Sequence, residues 1–118
     1  MNRVRKNKRF LQLLAEAKTK KQREDILRHA NISHLTAIRE ICLNLCLGNL
    51  RLPGEHKKKL KRFATVIRHL GDRKTKLSEK KLKSVLTQRG GFLGLLIPAV
   101  LSLVSAIGGR AISKAIGI

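Results

Sequence analysis

Tryptophan and tyrosine are missing from this chain, and phenylalanine occurs only three times in 118 residues. That scarcity removes the aromatic platform on which proteins stack exposed bases, so recognition of single-stranded nucleic acid by stacking is not expected. Acidic residues are nearly as scarce, seven against 27 Lys and Arg. Apart from the adjacent Glu24-Asp25 they stand singly among cations; Glu24, Asp25 and Glu40 read as surface or helix-pairing charges, and no candidate carboxylate pair for acid–base catalysis is available. No P-loop, His-Glu-x-x-His, Gly-x-Ser-x-Gly, Cys-x-x-Cys or dinucleotide-binding glycine pattern occurs, and the four histidines are scattered. Neither enzymatic function nor a metal or cofactor is expected.

Cysteine is limited to Cys42 and Cys46. A spacing of four puts both on one helical face, where an undistorted disulfide does not fit. His34 could share that face, but a metal site needs further ligands. The two thiols read as a reduced, buried pair, which suits an intracellular or nuclear setting. The opening MNRVRKNKRF is basic but lacks the following apolar run and small-residue cleavage site of a secretory signal.

What the chain has in excess is positive charge. A net +20 attracts phosphate polyanions or anionic lipid, whereas a surface that is merely solubilising mixes both signs. The charge is unevenly placed. Residues 1–89 hold 25 cations and all seven acids, 25 − 7 = +18, while residues 90–118 hold two cations and no acid. The junction Gln88-Arg89-Gly90-Gly91-Phe92 marks the change, dividing a basic nucleic-acid-binding domain, 1–89, from a hydrophobic, glycine-containing tail, 90–118.

Apolar residues recur at spacings of three and four, and no strand-type alternation is present. The fold expected is all-α: a small bundle of four or five short basic amphipathic helices followed by a hydrophobic helical tail. The first helix, Arg3 to Lys18, opens on the cluster Arg3, Arg5, Lys6, Lys8 and Arg9 and then places Phe10, Leu11, Leu14 and Ala17 inward. Thr19-Lys20-Lys21-Gln22 has the form of a capping box and starts a short helix to about His29. Ser33 to Leu47 gathers Leu35, Ile38, Ile41, Cys42, Leu45 and Cys46 on one broad face and is expected to be the most buried helix. Gly48 supplies the left-handed residue that closes it.

After the turn Leu52-Pro53-Gly54, a helix to Leu70 buries Leu60, Phe63, Ala64, Ile67 and Leu70. Its other face is Lys57, Lys58, Lys59, Lys61, Arg62 and Arg68, six cations with no acid among them. Such a row repels itself on a lone helix and suits a polyanion. The basic loop Arg73, Lys74, Thr75, Lys76 leads to a last helix capped by Ser78, with Leu77 and Leu82 placed as a hydrophobic staple. There Lys80, Lys81 and Lys83 alternate with Leu82, Val85 and Leu86.

The uncharged run Phe92 to Gly109 has 18 residues, at the lower limit for crossing a hydrocarbon core of about 30 Å. Pro98 and the glycines argue against a straight span. A kinked interfacial helix is the alternative, inserting Phe92, Leu93, Leu95, Leu96, Ile97, Val100, Leu101, Leu103, Val104 and Ile107 into lipid. In a third arrangement the segment folds back as core for the basic helices. Gly90-Gly91 is either a flexible hinge or an accessible extended strand that a protease can grip.

At this junction the sequence resembles the core protein X family of adenoviruses, the precursors of the mu peptide, and its relatives in adintoviruses and Maverick/Polinton elements. That family joins a basic DNA-binding portion to an Arg-Gly-Gly step, an apolar pair, a Leu-Ile-Pro-like step and a small-residue apolar tail with an Ile-Gly step. The matching residues are Arg89-Gly90-Gly91-Phe92-Leu93, Leu96-Ile97-Pro98 and Ala106-Ile107-Gly108, in a region that covers about a quarter of the chain. Upstream, a lysine-rich helical region with a motif around Ala30 to Asn49 and a basic Lys-Lys-Leu-Lys-rich helix look like the Maverick/Polinton version and unlike the short arginine-rich segment of mammalian adenoviruses.

The resemblance implies a virion core protein that is present in the host nucleus during assembly, condenses double-stranded DNA and is matured by an adenain-type cysteine protease. It implies cleavage between Gly91 and Phe92, with Gln88 in the upstream specificity position. Capsid or other core proteins are further partners on this view. Two rival functions come from other classes: a membrane-active protein whose tail meets lipid, and a small ribosomal or chromatin-like protein, which leaves the apolar tail unexplained.

Overall fold

The computed structural model describes residues 2–106, in which every regular element is helical. The expected all-α bundle is present, with two of the six anticipated helical segments each broken in two. The elements are α1 (Asn2–Lys6), α2 (Lys8–Glu16), α3 (Lys20–Arg28), α4 (Ile32–Cys46), α5 (Gly54–Leu60), α6 (Ala64–Gly71), α7 (Glu79–Arg89) and α8 (Leu93–Ala106). Single 3-10 turns at Lys61–Phe63 and Gly90–Phe92 join α5 to α6 and α7 to α8.

Each break has a local cause. Between α1 and α2, the buried Asn7 directs its amide at the backbone: Nδ2 donates to the Arg3 carbonyl at 2.8 Å and to Ser33 Oγ at 3.1 Å. A side chain that competes for the helical carbonyl bends the helix, and here it also ties the joint to the start of α4. Between α5 and α6, Phe63 leaves helical geometry at φ −110° and ψ 16°. Its ring packs against Phe92 of the α7–α8 turn, with centroids 5.9 Å apart and planes tilted by 49°.

The caps follow their chemistry. Thr19 Oγ1 accepts from the Gln22 N–H at 3.1 Å while Gln22 Oε1 accepts from the Thr19 N–H at 3.2 Å, the reciprocal box expected there. A second box starts α4 at Asn31, whose Oδ1 accepts from the His34 N–H at 2.9 Å while His34 Nδ1 accepts from the Asn31 N–H at 3.2 Å. Ser78 accepts from the Lys81 N–H at the start of α7. Gly48, at φ 76°, takes the left-handed conformation after α4.

The described part of the expected tail is not a separate unit. Phe92, Leu93, Leu96, Ile97, Val100 and Leu101 are buried in one continuous core with Leu11, Leu14 and Leu27. α8 packs chiefly on α2 and also touches α5, while α4 packs on α6. The cause lies in the period: buried pairs recur every four residues, and Gly94, Pro98 and Ser102 between them face solvent. Pro98 is therefore tolerated, because the helical carbonyl that it leaves without a donor lies on the water side. Each large side chain in that row is worth about 1.5–3 kcal/mol of burial, so the segment belongs to the core of the basic helices.

α4 and α6 cross closely at Gly71. A Cβ placed there lies 2.9 Å from the Leu43 nitrogen and 3.0 Å from the Cys42 carbonyl carbon and oxygen. These are backbone atoms of a packed helix and cannot move aside. Gly71→Ala should cost about 1–3 kcal/mol by overpacking, read as a lower urea midpoint. Gly94→Ala is the control: nothing lies within 4 Å of its Cβ, and losing a helical glycine should raise stability by about 0.5–1 kcal/mol.

Candidate nucleic-acid interface

With residues 2–106 holding 25 cations and seven acids, the described chain carries 25 − 7 = +18. Ion pairing cancels little of it. Among the described residues two pairs form, Arg28 with Asp25 at 3.4 Å and Lys83 with Glu79 at 3.8 Å. Most of the remaining cations are exposed; Arg39 and Lys83 donate to backbone carbonyls.

On α1 and the start of α2, Arg3, Arg5, Lys6 and Arg9 are exposed and Lys8 is half-buried. On the α5–α6 arm, Lys57, Lys58, Lys59, Lys61 and Arg62 are all exposed, as are Arg73, Lys74 and Lys76 of the following loop. Lys80 and Lys81 are exposed on α7, whereas Lys83 is half-buried and donates to the Arg28 carbonyl at the end of α3 at 2.9 Å. A lysine at a helix C-terminus satisfies an orphan carbonyl and meets the negative end of the helix dipole.

Folding gathers these residues into clusters that the sequence does not show. A cleft of about 440 Å³ brings Arg3 of α1 beside Arg73 of the α6–α7 loop, with Arg39 and Glu40 of α4 in its lining. A second, of about 310 Å³, sets Arg28 of α3 beside Lys80 and Lys83 of α7. A third, of about 380 Å³, has Lys57, Lys61 and Arg68 along the arm.

Arg39 is the residue that sequence reasoning missed. Its Nε donates to the Leu70 carbonyl, and Nη2 donates to the carbonyls of Asp72 and Thr75, each at 2.8 Å. One guanidinium thus holds the end of α6 and the basic loop together. The loop is fixed from its other side by Asp72, whose carboxylate accepts from the Lys74 N–H at 2.9 Å and the Thr75 hydroxyl at 3.0 Å. These hydrogen bonds, the Lys74 one foremost, hold the Asp72 carboxyl below its ordinary pKa. The only signal for Arg39 in the sequence was a lone cation on the most apolar helix.

The junction is placed differently from either reading of its glycines. Gln88 and Arg89 are exposed on the last turn of α7, Gly90 is buried, Gly91 is exposed, and Phe92 is 0% exposed. Neither glycine has a positive φ, and the stretch is helical or 3-10 throughout. It is neither an extended strand nor a loose hinge, because Phe92 is anchored in the core.

The residues expected to insert in lipid are placed likewise. Phe92, Leu93, Leu96, Ile97, Val100 and Leu101 are buried and Leu95 is half-buried. Leu103 and Val104 belong to the last turn of α8, and Ile107 lies outside the described residues. The helical run Glu79–Ser102 is long and apolar enough to cross a membrane by length and composition, but its apolar side faces protein here.

The thiols are not a buried pair: Cys42 is buried, while Cys46, one turn later, is exposed near the end of α4. Burial, with the nearby Cys46, pushes the Cys42 thiol up to about 12. Burial also raises Cys46, opposed by Arg68. His34 does not join them; its ring stacks on Phe10 at 4.0 Å with parallel planes. Among the described residues no group of three His, Cys, Asp or Glu is placed to hold a metal. A disulfide-exchange reagent at neutral pH should titrate one thiol in the folded chain and the second only after denaturation. Rapid reaction of both, counted by released chromophore, would contradict this placement.

Comparison with known protein families, with curated proteins and with solved structures finds no match to this chain.

Proposed function

We propose that this chain is a DNA-binding protein that grips duplex phosphates without reading sequence and compacts the duplex by contacting it from more than one side. The observation that carries the reading is a net charge of +18 over the described residues, with two internal ion pairs to offset it. The cations sit in three separate clefts and on exposed helical faces. A surface of this kind releases counterions when it meets DNA, and several such sites on one molecule favour bridging between duplexes. No aromatic stacking platform accompanies them. The reading is of a binding protein and not of an enzyme.

The finer identity rests on the resemblance at Arg89 to Pro98: a viral core protein of the adenovirus X type, acting on the genome in the virion core and host nucleus. On this reading a maturation protease cuts between Gly91 and Phe92, and it must act on a locally opened chain because Phe92 is core. Membrane activity gains little from Phe92 to Leu101, whose large side chains are already buried.

A salt titration on unrelated duplexes tests the DNA reading. With six to ten phosphate contacts, affinity should fall by about 10³–10⁵ between 50 and 200 mM salt, alike on every sequence. A shallow slope, or a strong preference for one duplex, would sink it.

A further inference from the structure

One of the three clefts has no acidic residue in its lining, whereas the other two hold Glu40 and Glu24. Between the end of α4 and the α5–α6 arm runs an open trough whose floor is Leu50, Leu60 and Ile67, largely buried, with Leu45 and Ala64 half-buried at its edges. Lys57, Lys61 and Arg68 line it too, and no acidic residue does. With Ala64, the cations are spaced four, three and four residues apart along α5, the 3-10 turn and α6, and all of them line the one trough. Measured along the arm, Lys57 to Arg68 covers about 16–18 Å at 1.5 Å per α-helical and 2.0 Å per 3-10 residue. Phosphate and sugar offer no aliphatic group to cover this floor, so a duplex bound to the cations leaves it in water. A fatty-acyl chain favours enclosing walls, and this trough is open along one side.

We propose that the trough binds an acidic amphipathic helix from a partner protein. About three turns of such a helix match the arm from Lys57 to Arg68 in length. Aliphatic side chains at i, i+3 or i+4, and i+7 cover the floor, and flanking Asp and Glu meet Lys57, Lys61 and Arg68, the helix-in-groove mode with complementary charge. Apolar contact with the exposed edges of the floor adds to the ionic attraction, and the carboxylates set orientation and exclude basic segments. Lys57 and Lys61 also belong to the face assigned above to DNA. If that assignment holds, the partner and the duplex compete for the arm, and an acidic partner keeps it from DNA until displaced.

The peptide interaction is tested on the full chain without DNA, so its failure is distinct from failure of the DNA reading. Fluorescence anisotropy compares a Leu- and Glu-rich amphipathic peptide with a scrambled peptide of the same composition. The amphipathic peptide should bind one-to-one, about tenfold tighter or more, a gap of roughly 1.4 kcal/mol. It should also shield Cys46, which lines the trough, from a thiol reagent. Ala64→Trp fills the trough from α6 and Cys46→Phe blocks it from α4; each should weaken the peptide about tenfold while salt-dependent duplex binding stays intact. Circular dichroism identifies a variant that fails to fold, and the other then decides. Equal binding of the scrambled peptide, no shielding of Cys46, or insensitivity to the folded variant overturns the proposal. So does shielding by phosphatidylglycerol vesicles with none by the peptide, which assigns the trough to lipid.

Discussion

Phe92→Ala lowers the stability of this chain by about 3–5 kcal/mol, the range for truncating a buried aromatic ring, measured as a shift in the urea unfolding midpoint. Domains of this kind hold only about 5–15 kcal/mol in total, so the variant is close to unfolding at 37 °C. The ring is 0% exposed and stands where the α5–α6 joint meets the α7–α8 turn, its centroid 5.9 Å from that of Phe63. Removing it leaves a cavity between two helical joints that small adjustments cannot close. Tilted ring pairs add about 0.5–1.5 kcal/mol beyond their area, so Phe63→Leu should lose part of the same stabilisation and the double variant should fall short of the sum. Were Phe92 the first residue of a free tail, the same change would lie within about 0.5 kcal/mol. That smaller result would return the segment to the solvent or to lipid.

Replacing Lys57, Lys58, Lys59, Lys61 and Arg62 by Gln lowers duplex affinity on the order of 10³-fold at 0.1 M salt and flattens the log–log salt slope by about 4, if most of these cations touch phosphate. All five are exposed, so the substitutions open no cavity. They also remove like-charge neighbours at i, i+4, Lys57 with Lys61 and Lys58 with Arg62, each destabilising by about 0.2–0.5 kcal/mol on an exposed helix. The variant should therefore bind worse while melting at the same temperature or slightly higher. Unchanged affinity and slope would move the DNA contact away from the arm, to the cleft of Arg3 and Arg73 or to that of Lys80 and Lys83.

The helical class, the caps at Thr19 and Ser78 and the left-handed Gly48 are local chemistry, and the sequence shows them directly. The box at Asn31 escapes because histidine stands where Glu or Gln usually reaches back to the cap. The bend at Asn7 depends on Ser33, 26 residues away, and no local pattern signals such a bond. Arg39 serves carbonyls 31 to 36 residues ahead of it, so its role arises only on folding. Residues 92–101 are a different case. Composition marks them as membrane-like, yet Gly94, Pro98 and Ser102 recur every four residues and give the helix one small, weakly apolar side. That period signals one-sided burial, whereas a membrane helix is apolar all round. The basic residues are legible as a class; their grouping into clefts is not, because it follows from which helices pack together.

If the proposed cleavage at Gly91 takes place, the burial of Phe92 makes it a question of time. A protease cleft accepts an extended strand, and here the residues on both sides of the bond are wound in a helical turn with one side chain in the core. When opening and reclosing are fast, cleavage proceeds at the intrinsic rate multiplied by the open fraction. Anything that steadies α8 against α2 then lengthens the lifetime of the intact chain, and anything that loosens it shortens that lifetime, with no change at residues 88–92. Under that proposal the core would act as a delay line for the junction.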